Sequence, residues 1–347
     1  MQIAFHFNKN SFCERWLAYC KKNDIKYKLV NCYDSNILEQ LADCDALMFH
    51  WMHFDYRAML FMKQLTIALE KIGKIVFPNF NSSWHFDDKI AQKYLLEGIG
   101  APCIPSYVFY ELKPALDWCE TTSFPKVFKL RGGAGSTNVK LVENITQAKK
   151  IIKKMFSDGF SQFDRWGSLL ERYRLWQIGK IGFQNFLKGF GRLFVAPEFA
   201  RMYHREKGYV YFQDFVPMND SDLRVVVVGN RAFAIKRLVR KGDFRASGSG
   251  FIVYDKNQID ERCVKIGFQI SEKLQTQSLA FDFIFNEINE PLLIEISYGF
   301  AWEGYEDCPG YWMKDMRWIE GKFNAQEFMV EDIIDEIYEK HGKGLKG

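Results

Sequence analysis

Apolar and polar positions switch between two periods over the first 80 residues. Ile3-Ala4-Phe5-His6-Phe7 is a short apolar run that reads as a strand, and Ser11 is placed to cap a helix running to Cys20. Tyr27-Lys28-Leu29-Val30 reads as a second strand, followed by a short helix near residues 37–42 and a strand at 46–50. A long helical pattern from about Asp55 to Lys71 stops at Gly73, and Lys74-Ile75-Val76-Phe77 forms a last strand before Pro78. Strand and helix in alternation predict a small parallel, Rossmann-like α/β domain over residues 1–80. No GxGxxG follows the first strand, so a dinucleotide-binding reading has little support. Trp51, His53, Asp55 and Arg57 follow the third strand, at the carboxyl edge where open sheets bind ligands. An ordinary polar loop with a helix cap accounts for any one of them at least as well.

After residue 80 the pattern changes to α+β. Asp87-Asp88-Lys89 opens a helix that stops at Gly98, with one of the two acids placed to favour the helix start. Lys89 then sits in the first turn, where a cation is disfavoured, so it is either solvated or has an anionic partner. A strand at 106–109 is followed by Lys126-Val127-Phe128-Lys129 and the loop Gly132-Gly133-Ala134-Gly135-Ser136-Thr137, with a further strand to Val142. Closely spaced glycines let backbone N–H groups approach an anion. The loop lacks GxxxxGK[ST] and a strand follows it, so it is not a Walker loop; a plain hairpin turn is the alternative. A strand over Tyr209–Pro217 is predicted next, then a hairpin over 220–237 turning at Gly229-Asn230, with Asp222, Arg224, Lys236 and Arg237 at the end away from the turn. Asp243 to Gly250 is a second small-residue loop, and a helix is expected from Gln258 to Leu274.

Two apolar runs, Ser278–Phe285 and Pro291–Ser297, flank a polar turn and predict another β-hairpin. Each run carries one acid, Asp282 or Glu295. A carboxylate inside a buried strand is costly unless a cation or hydrogen bonds compensate it. On paired strands the two can converge on one divalent ion, and hard oxygen ligands suit Mg²⁺ that also holds nucleotide phosphates. Otherwise both acids sit at strand ends and face water. The tail is Trp-rich and then helical from about 325 to 340.

Composition adds bounds. At 347 residues, 48% hydrophobic and 26% charged, the chain is that of a globular protein with two or three domains. A net charge of +4 gives no case for nucleic acid as a partner. The eight cysteines form no CxxC pair and no zinc spacing, which points to reduced, buried thiols. Met1-Gln2-Ile3-Ala4-Phe5 lacks the basic start of a signal peptide, and no run reaches transmembrane length, so a cytoplasmic chain is expected. Between about 157 and 207, aromatic residues interleave with Arg165, Arg172, Arg174, Lys180, Lys188 and Arg192. Such a segment either packs on the domain with its basic face in water, or forms amphipathic helices over 160–205 that lie on an anionic membrane or bind a partner.

The order of these parts resembles the ATP-grasp superfamily, near the ribosomal-protein glutamate ligase and glutathione synthetase branch. The resemblance rests on the Asp87-Lys89 helix, Lys129 with its Gly-rich loop, Gln213-Asp214-Phe215-Val216, Asp222-x-Arg224-Val225, Lys236-Arg237, Phe244-Arg245-Ala246-Ser247, Asp282-Phe283 and Ile294-Glu295-Ile296-Ser297. It covers roughly residues 80 to 300. It implies two α+β lobes gripping ATP over residues 81–347: a smaller lobe at 125–212, and a larger one at 213–347 with the metal site and C-terminal helix. The N-terminal unit matches the α/β domain that usually precedes this fold.

By resemblance, Lys89 and Lys129 contact ATP phosphates under the loop carrying Gly132, Gly133, Gly135 and Ser136. Gln213, Asp214, Phe215 and Val216 form the strand that reads adenine, Asp222 holds the ribose, and Lys236 belongs to the nucleotide site. Arg224, Arg237 and Arg245 face the transferred phosphoryl or the substrate carboxylate. Asp282, Glu295 and Ser297 hold Mg²⁺, or Mn²⁺ in its place. Ser297 stands where the family usually has Asn, which weakens one ligand, and the 157–207 insert is longer than this branch carries. The implied activity is ATP-dependent joining of a small-molecule carboxylate to an amine through an acylphosphate. A phosphotransferase, or an ATP-binding or membrane-associated protein whose catalysis has lapsed, is the alternative. Trp51, His53, Trp302 and Tyr311 are candidates for the acceptor region.

If residues 160–205 act at a membrane, vesicle sedimentation will show binding that requires anionic lipid and falls as salt rises. Equal binding to neutral vesicles would remove the electrostatic part of that expectation.

Overall fold

The computed structural model describes residues 1–9, 11–133, 138–162, 204–239 and 250–344, with scattered positions between 163 and 203. The expected helices over 160–205, Gly135, Ser136 and Arg245 fall outside the described residues, apart from those scattered positions. Contacts group the chain into two compact units. One comprises residues 1–86, 96–102 and 218–347, and the other residues 87–95 and 103–217.

The first unit begins with strands β1 (Ile3–His6), β2 (Tyr27–Val30), β3 (Ala46–Met48) and β4 (Ile75–Phe77). They form a parallel sheet in the order β2-β1-β3-β4, as strand–helix alternation predicts. Helix α1 (Phe12–Lys22) starts where the Ser11 hydroxyl accepts the Cys13 N–H, and Phe12, Cys13, Trp16 and Cys20 form its buried stripe. A four-residue helix, α2 (Ile37–Gln40), is shorter than the pattern suggests. Helix α3 (Tyr56–Lys71) is capped by Asp55, which accepts from the amides of Arg57 and Ala58, and a short α4 (Phe80–Ser83) follows β4.

The second unit opens with α5 (Lys89–Gly98), which runs on past its boundary, followed by β5 (Ser106–Phe109) and α6 (Leu112–Thr121). Next come β6 (Lys126–Lys129), β7 (Lys140–Val142), α7 (Ile145–Met155) and β8 (Val210–Asp214). The sheet is antiparallel in the order β5-β8-β6-β7. Helices α6 and α7 occupy stretches that the pattern leaves unassigned. Pro114 falls in the first turn of α6, where no intrahelical N–H is needed. One face of this sheet forms an aromatic core, with Phe212 ringed by Trp118 at 5.1 Å and Phe128 at 6.0 Å.

The rest of the first unit is built on β9 (Ser221–Val228), β10 (Arg231–Leu238) and β11 (Ile252–Val253), then α8 (Glu261–Leu274) and the hairpin β12 (Ser278–Phe285) and β13 (Pro291–Ser297). It closes with β14 (Gly310–Met313), β15 (Trp318–Glu320) and α9 (Ala325–Gly344). The sheet order is β13-β12-β9-β10-β14-β15, with β11 paired to β10. Helix α8 starts later than expected because Asp260 caps it. Its Gly267 lies so close to the sheet that a Cβ would stand 3.3 Å from Val225 and Val227.

Both sheets of this unit share one apolar core. Phe5 and Phe77 of the parallel sheet and Trp16 of α1 join Val226, Val228 and Phe233 of the antiparallel sheet, with Met329, Ile333 and Ile337 of α9. All eight cysteines are free thiols. Among the described residues no helix is long and apolar enough to cross a membrane.

Gly229 turns the β9–β10 hairpin at φ +54°, and a Cβ there would lie 2.3 Å from Oδ2 of Asp332 on α9. Gly229→Ala therefore combines backbone strain with a clash, and should lower stability by about 1–3 kcal/mol. Urea denaturation checks this: an unchanged midpoint would mean that α9 yields at the turn.

Candidate functional site

In the second unit, two consecutive acids divide two tasks. Asp88 caps α5, accepting from the amides of Ile90 at 3.1 Å and Ala91 at 3.0 Å. Asp87, held at φ +54°, instead accepts the Gly133 N–H at 2.7 Å. Lys89 is buried and donates to the Gly133 carbonyl at 2.9 Å, while its own amide donates to Arg131 O at 3.0 Å. The start of α5 thus grips the Gly-rich loop through both polar groups of one peptide residue. Gly132 is needed beside it, because a Cβ would meet Asp87 Oδ2 at 3.1 Å.

Strand alternation sorts the lysines of β6. Lys126 lies on the core side, paired with Asp214 at 2.5 Å and 5.1 Å from the Tyr107 ring. Lys129 lies on the other face and donates to Gln213 Oε1 at 2.6 Å. Gln213 Nε2 in turn reaches Ser106 Oγ at 3.2 Å, which the Tyr211 hydroxyl also contacts at 2.9 Å. Lys89 and Gly133 thus belong to one polar group at the start of α5, with Gly132 beside it, and Lys129 and Gln213 to another with Ser106 and Tyr211. Asp214 ends β8, so Phe215 and Val216 lie beyond the sheet ladder. Ser106 and Tyr211 are additions to the expected set. The alternation of Tyr211 with Gln213 along one strand was the signal for Tyr211; Ser106 follows only from its pairing with Gln213.

In the first unit a charged row crosses three strands. Arg224 of β9 stands opposite Asp282 of β12, and Asp282 stands opposite Glu295 of β13. Directly paired residues share a face, so the hairpin puts both acids on one side, as the sequence predicts. Asp222 and Arg237 are the next pair across β9 and β10. Arg224 is bidentate to Asp282, with Nε–Oδ1 and Nη2–Oδ2 both 2.6 Å. Arg237 is bidentate to Asp222, again at 2.6 Å for both bonds, and its Nη2 lies 3.0 Å from Asp282 Oδ2. Burial alone would raise the pKa of Asp282; Arg224 and then Arg237 outweigh it and hold this carboxyl well below the usual range.

Lys236 departs from the expected cluster. It is paired with Leu223, one residue out of phase with Arg237, so it projects from the opposite face of the sheet. Ser297 shares the acid face, but its hydroxyl donates to Gly299 O at 2.7 Å. Of the suggested acceptor residues, Trp51 is core: it is 1% exposed, 4.8 Å from the Tyr298 ring, with its amide donating to the Tyr298 hydroxyl at 3.1 Å. That hydroxyl also donates to Trp51 O. Tyr311 packs on Phe323 and Phe328, and Trp302 lies 3.7 Å below the Arg15 guanidinium.

The donor set suits a hard divalent cation. Asp282 and Glu295 supply oxygens from opposed positions, and among the described residues no group of three or more His, Cys, Asp or Glu could hold a metal ion. Two carboxylates alone fit a Mg²⁺ that takes its other ligands from nucleotide phosphates and water, rather than a dedicated protein cage.

Residues 202–309 match the family model of the RimK-like ATP-grasp domain. No curated protein matches the chain in sequence. Among solved structures, a D-cycloserine synthetase superposes with a TM-score of 0.58 at 12% identity, covering 97% of this chain and all (100%) of that one. D-alanine–D-alanine ligase from Bacillus anthracis, complexed with ATP, gives 0.51 at 13% identity and 86% coverage of both chains. A RimK-domain ATP-grasp protein from Sphaerobacter thermophilus gives 0.50 at 16% identity, covering 85% of this chain and 90% of that one. The fold is therefore ATP-grasp, with a parallel α/β sheet in its N-terminal part.

Lys129 is buried, so losing its charge should be felt more than losing any surface lysine. Lys129→Ala is expected to weaken ATP binding by about 2–4 kcal/mol, as truncating a buried charged partner does. Calorimetric titration of ATP into the folded variant measures this, and unchanged affinity would remove Lys129 from the site.

Proposed function

We propose that the chain is an ATP- and Mg²⁺-dependent ligase that joins a small-molecule carboxylate to an amine and forms ADP. The observation that carries this reading is the direct opposition of Asp282 and Glu295 beside two arginines, inside the segment that matches the RimK-like ATP-grasp domain. The similar structures include a D-cycloserine synthetase and a D-alanine–D-alanine ligase complexed with ATP, which is consistent with it.

In this reading Lys89 and Lys129 neutralise ATP phosphates, while the Gly133 amide and its neighbours supply N–H donors. The backbone of 213–216 reads adenine. Asp222, with both oxygens held by Arg237, is better suited to fixing that guanidinium than to holding a ribose. Asp282 and Glu295 would hold Mg²⁺, which supplies charge neutralisation on the phosphate oxygens; Mn²⁺ would serve in its place. Arg224 and Arg237 orient and neutralise the reacting anions.

A substrate carboxylate oxygen attacks the γ-phosphorus and ADP leaves. The amine then attacks the acyl carbon of the acylphosphate, forming the C–N bond and releasing inorganic phosphate. The Trp-rich tail resembles that of ATP-grasp proteins that accompany cell-surface polysaccharide synthesis, and this extends the reading to that setting, with amino-acid conjugate synthesis as the other. A second reading, ATP binding without turnover, is favoured by one observation. The Ser297 hydroxyl is turned to Gly299 O rather than toward the acids.

Glu295→Gln should keep the fold and much of the nucleotide binding while lowering ADP formation at limiting Mg²⁺ by about 100-fold, because an amide cannot replace the charge that holds the metal. An ADP-release assay over a pool of carboxylates and amines checks this. Wild-type turnover in Glu295→Gln would sink the metal site. Tight ATP binding with no ADP from the wild-type chain would favour the second reading.

A further inference from the structure

Asp282 is occupied by the protein itself. Both of its oxygens accept from Arg224 at 2.6 Å, and Oδ2 lies 3.0 Å from Arg237 as well. A dication added to this carboxylate would stand beside two guanidinium groups in a buried setting, where like charges repel strongly.

The two arginines are not equivalent. Arg237 keeps two bonds to Asp222 whatever happens at Asp282. Arg224 has ion pairing with Asp282 alone among the described residues. Its side chain is also the most open of the four, 18% exposed against 9% for Arg237, 8% for Asp222 and 5% for Asp282. One member of the group therefore rests on a single ion-pair partner and is the most exposed of the four.

Resting on the ligase reading above, we propose that Arg224 is an internal counter-ion that the divalent metal displaces from Asp282. Metal loading and release of Arg224 are then one exchange. Without metal, the guanidinium neutralises a carboxylate that could not stay charged and buried alone. With metal, the cation takes over that task, and Arg224 becomes free to meet an anionic oxygen of phosphate or carboxylate. Arg224 stands opposite Asp282, which in turn stands opposite Glu295, so it need not travel far to do so.

The exchange makes wild-type metal affinity lower than the carboxylates alone would give. In nucleotide-free full-length protein titrated with Mn²⁺ alone and followed by electron paramagnetic resonance, Arg224→Met should bind on the order of tenfold tighter or more. Arg224→Lys, which keeps the charge but loses the bidentate fork, should fall between the two. Should Arg224→Met fail to fold, side-chain ¹⁵N NMR of the wild type reads the same event. Mg²⁺ should shift the Arg224 Nε–H signal and speed its exchange with water, while Arg237 stays protected. Equal or weaker Mn²⁺ binding by a folded Arg224→Met, or an Arg224 signal that ignores Mg²⁺, overturns the exchange and leaves the metal site standing. Absence of Mn²⁺ binding in wild type and Arg224→Met alike would remove the metal site, and the exchange with it.

Discussion

Two acids and two arginines buried side by side on the β10-β9-β12 face are what the larger sheet must satisfy before anything else. Each carboxylate accepts two guanidinium bonds at 2.6 Å, and the four charges sum to zero. Breaking such a group by removing one partner leaves an uncompensated buried charge, which is strongly destabilising. The same face carries Val226, Phe233 and Ala280 into the core. A slip of one residue in any of these strands would turn the charges toward α8 and the valines toward the site. Register and site are thus specified together, and the shift between Asp282 and Phe283 lets β13 leave that register just past the acids.

Much of this was legible in the sequence because it rests on alternation. Asp282 and Glu295 stand out as acids inside apolar runs, and a hairpin reading is enough to oppose them. The parallel N-terminal sheet followed from strand–helix order. What the sequence did not show is pairing at the level of side chains. Lys236 and Arg237 are neighbours in the chain, and only the register with Leu223 and Asp222 tells which faces the acids. Asp87 and Asp88 are equally good caps on paper, and the choice depends on where Gly133 comes to lie. Trp51 looked like a ligand contact because it follows a strand, yet Tyr298, nearly 250 positions away, binds its backbone at both N–H and C=O.

Each unit satisfies its own binding groups from within. In one, the Asp87 carboxylate holds the Gly133 amide that an anion would use. In the other, Arg224 holds the carboxylate that a cation would use. The physical requirement is shared: a polar group kept out of water must have a partner at every moment. A site built this way stays folded and charged without its ligand, at the cost of some affinity for it.

The core of the first unit also sets an order of assembly. Phe5 and Trp16 pack in one core with Ile333 and Ile337, more than 300 positions later in the chain. The early strands must therefore wait, partly unprotected, while the intervening 103–217 segment is synthesised and closes on its own contacts. Contacts this distant in sequence fold slowly, so the interval before α9 arrives is when the N-terminal sheet is most exposed to chaperones and proteases.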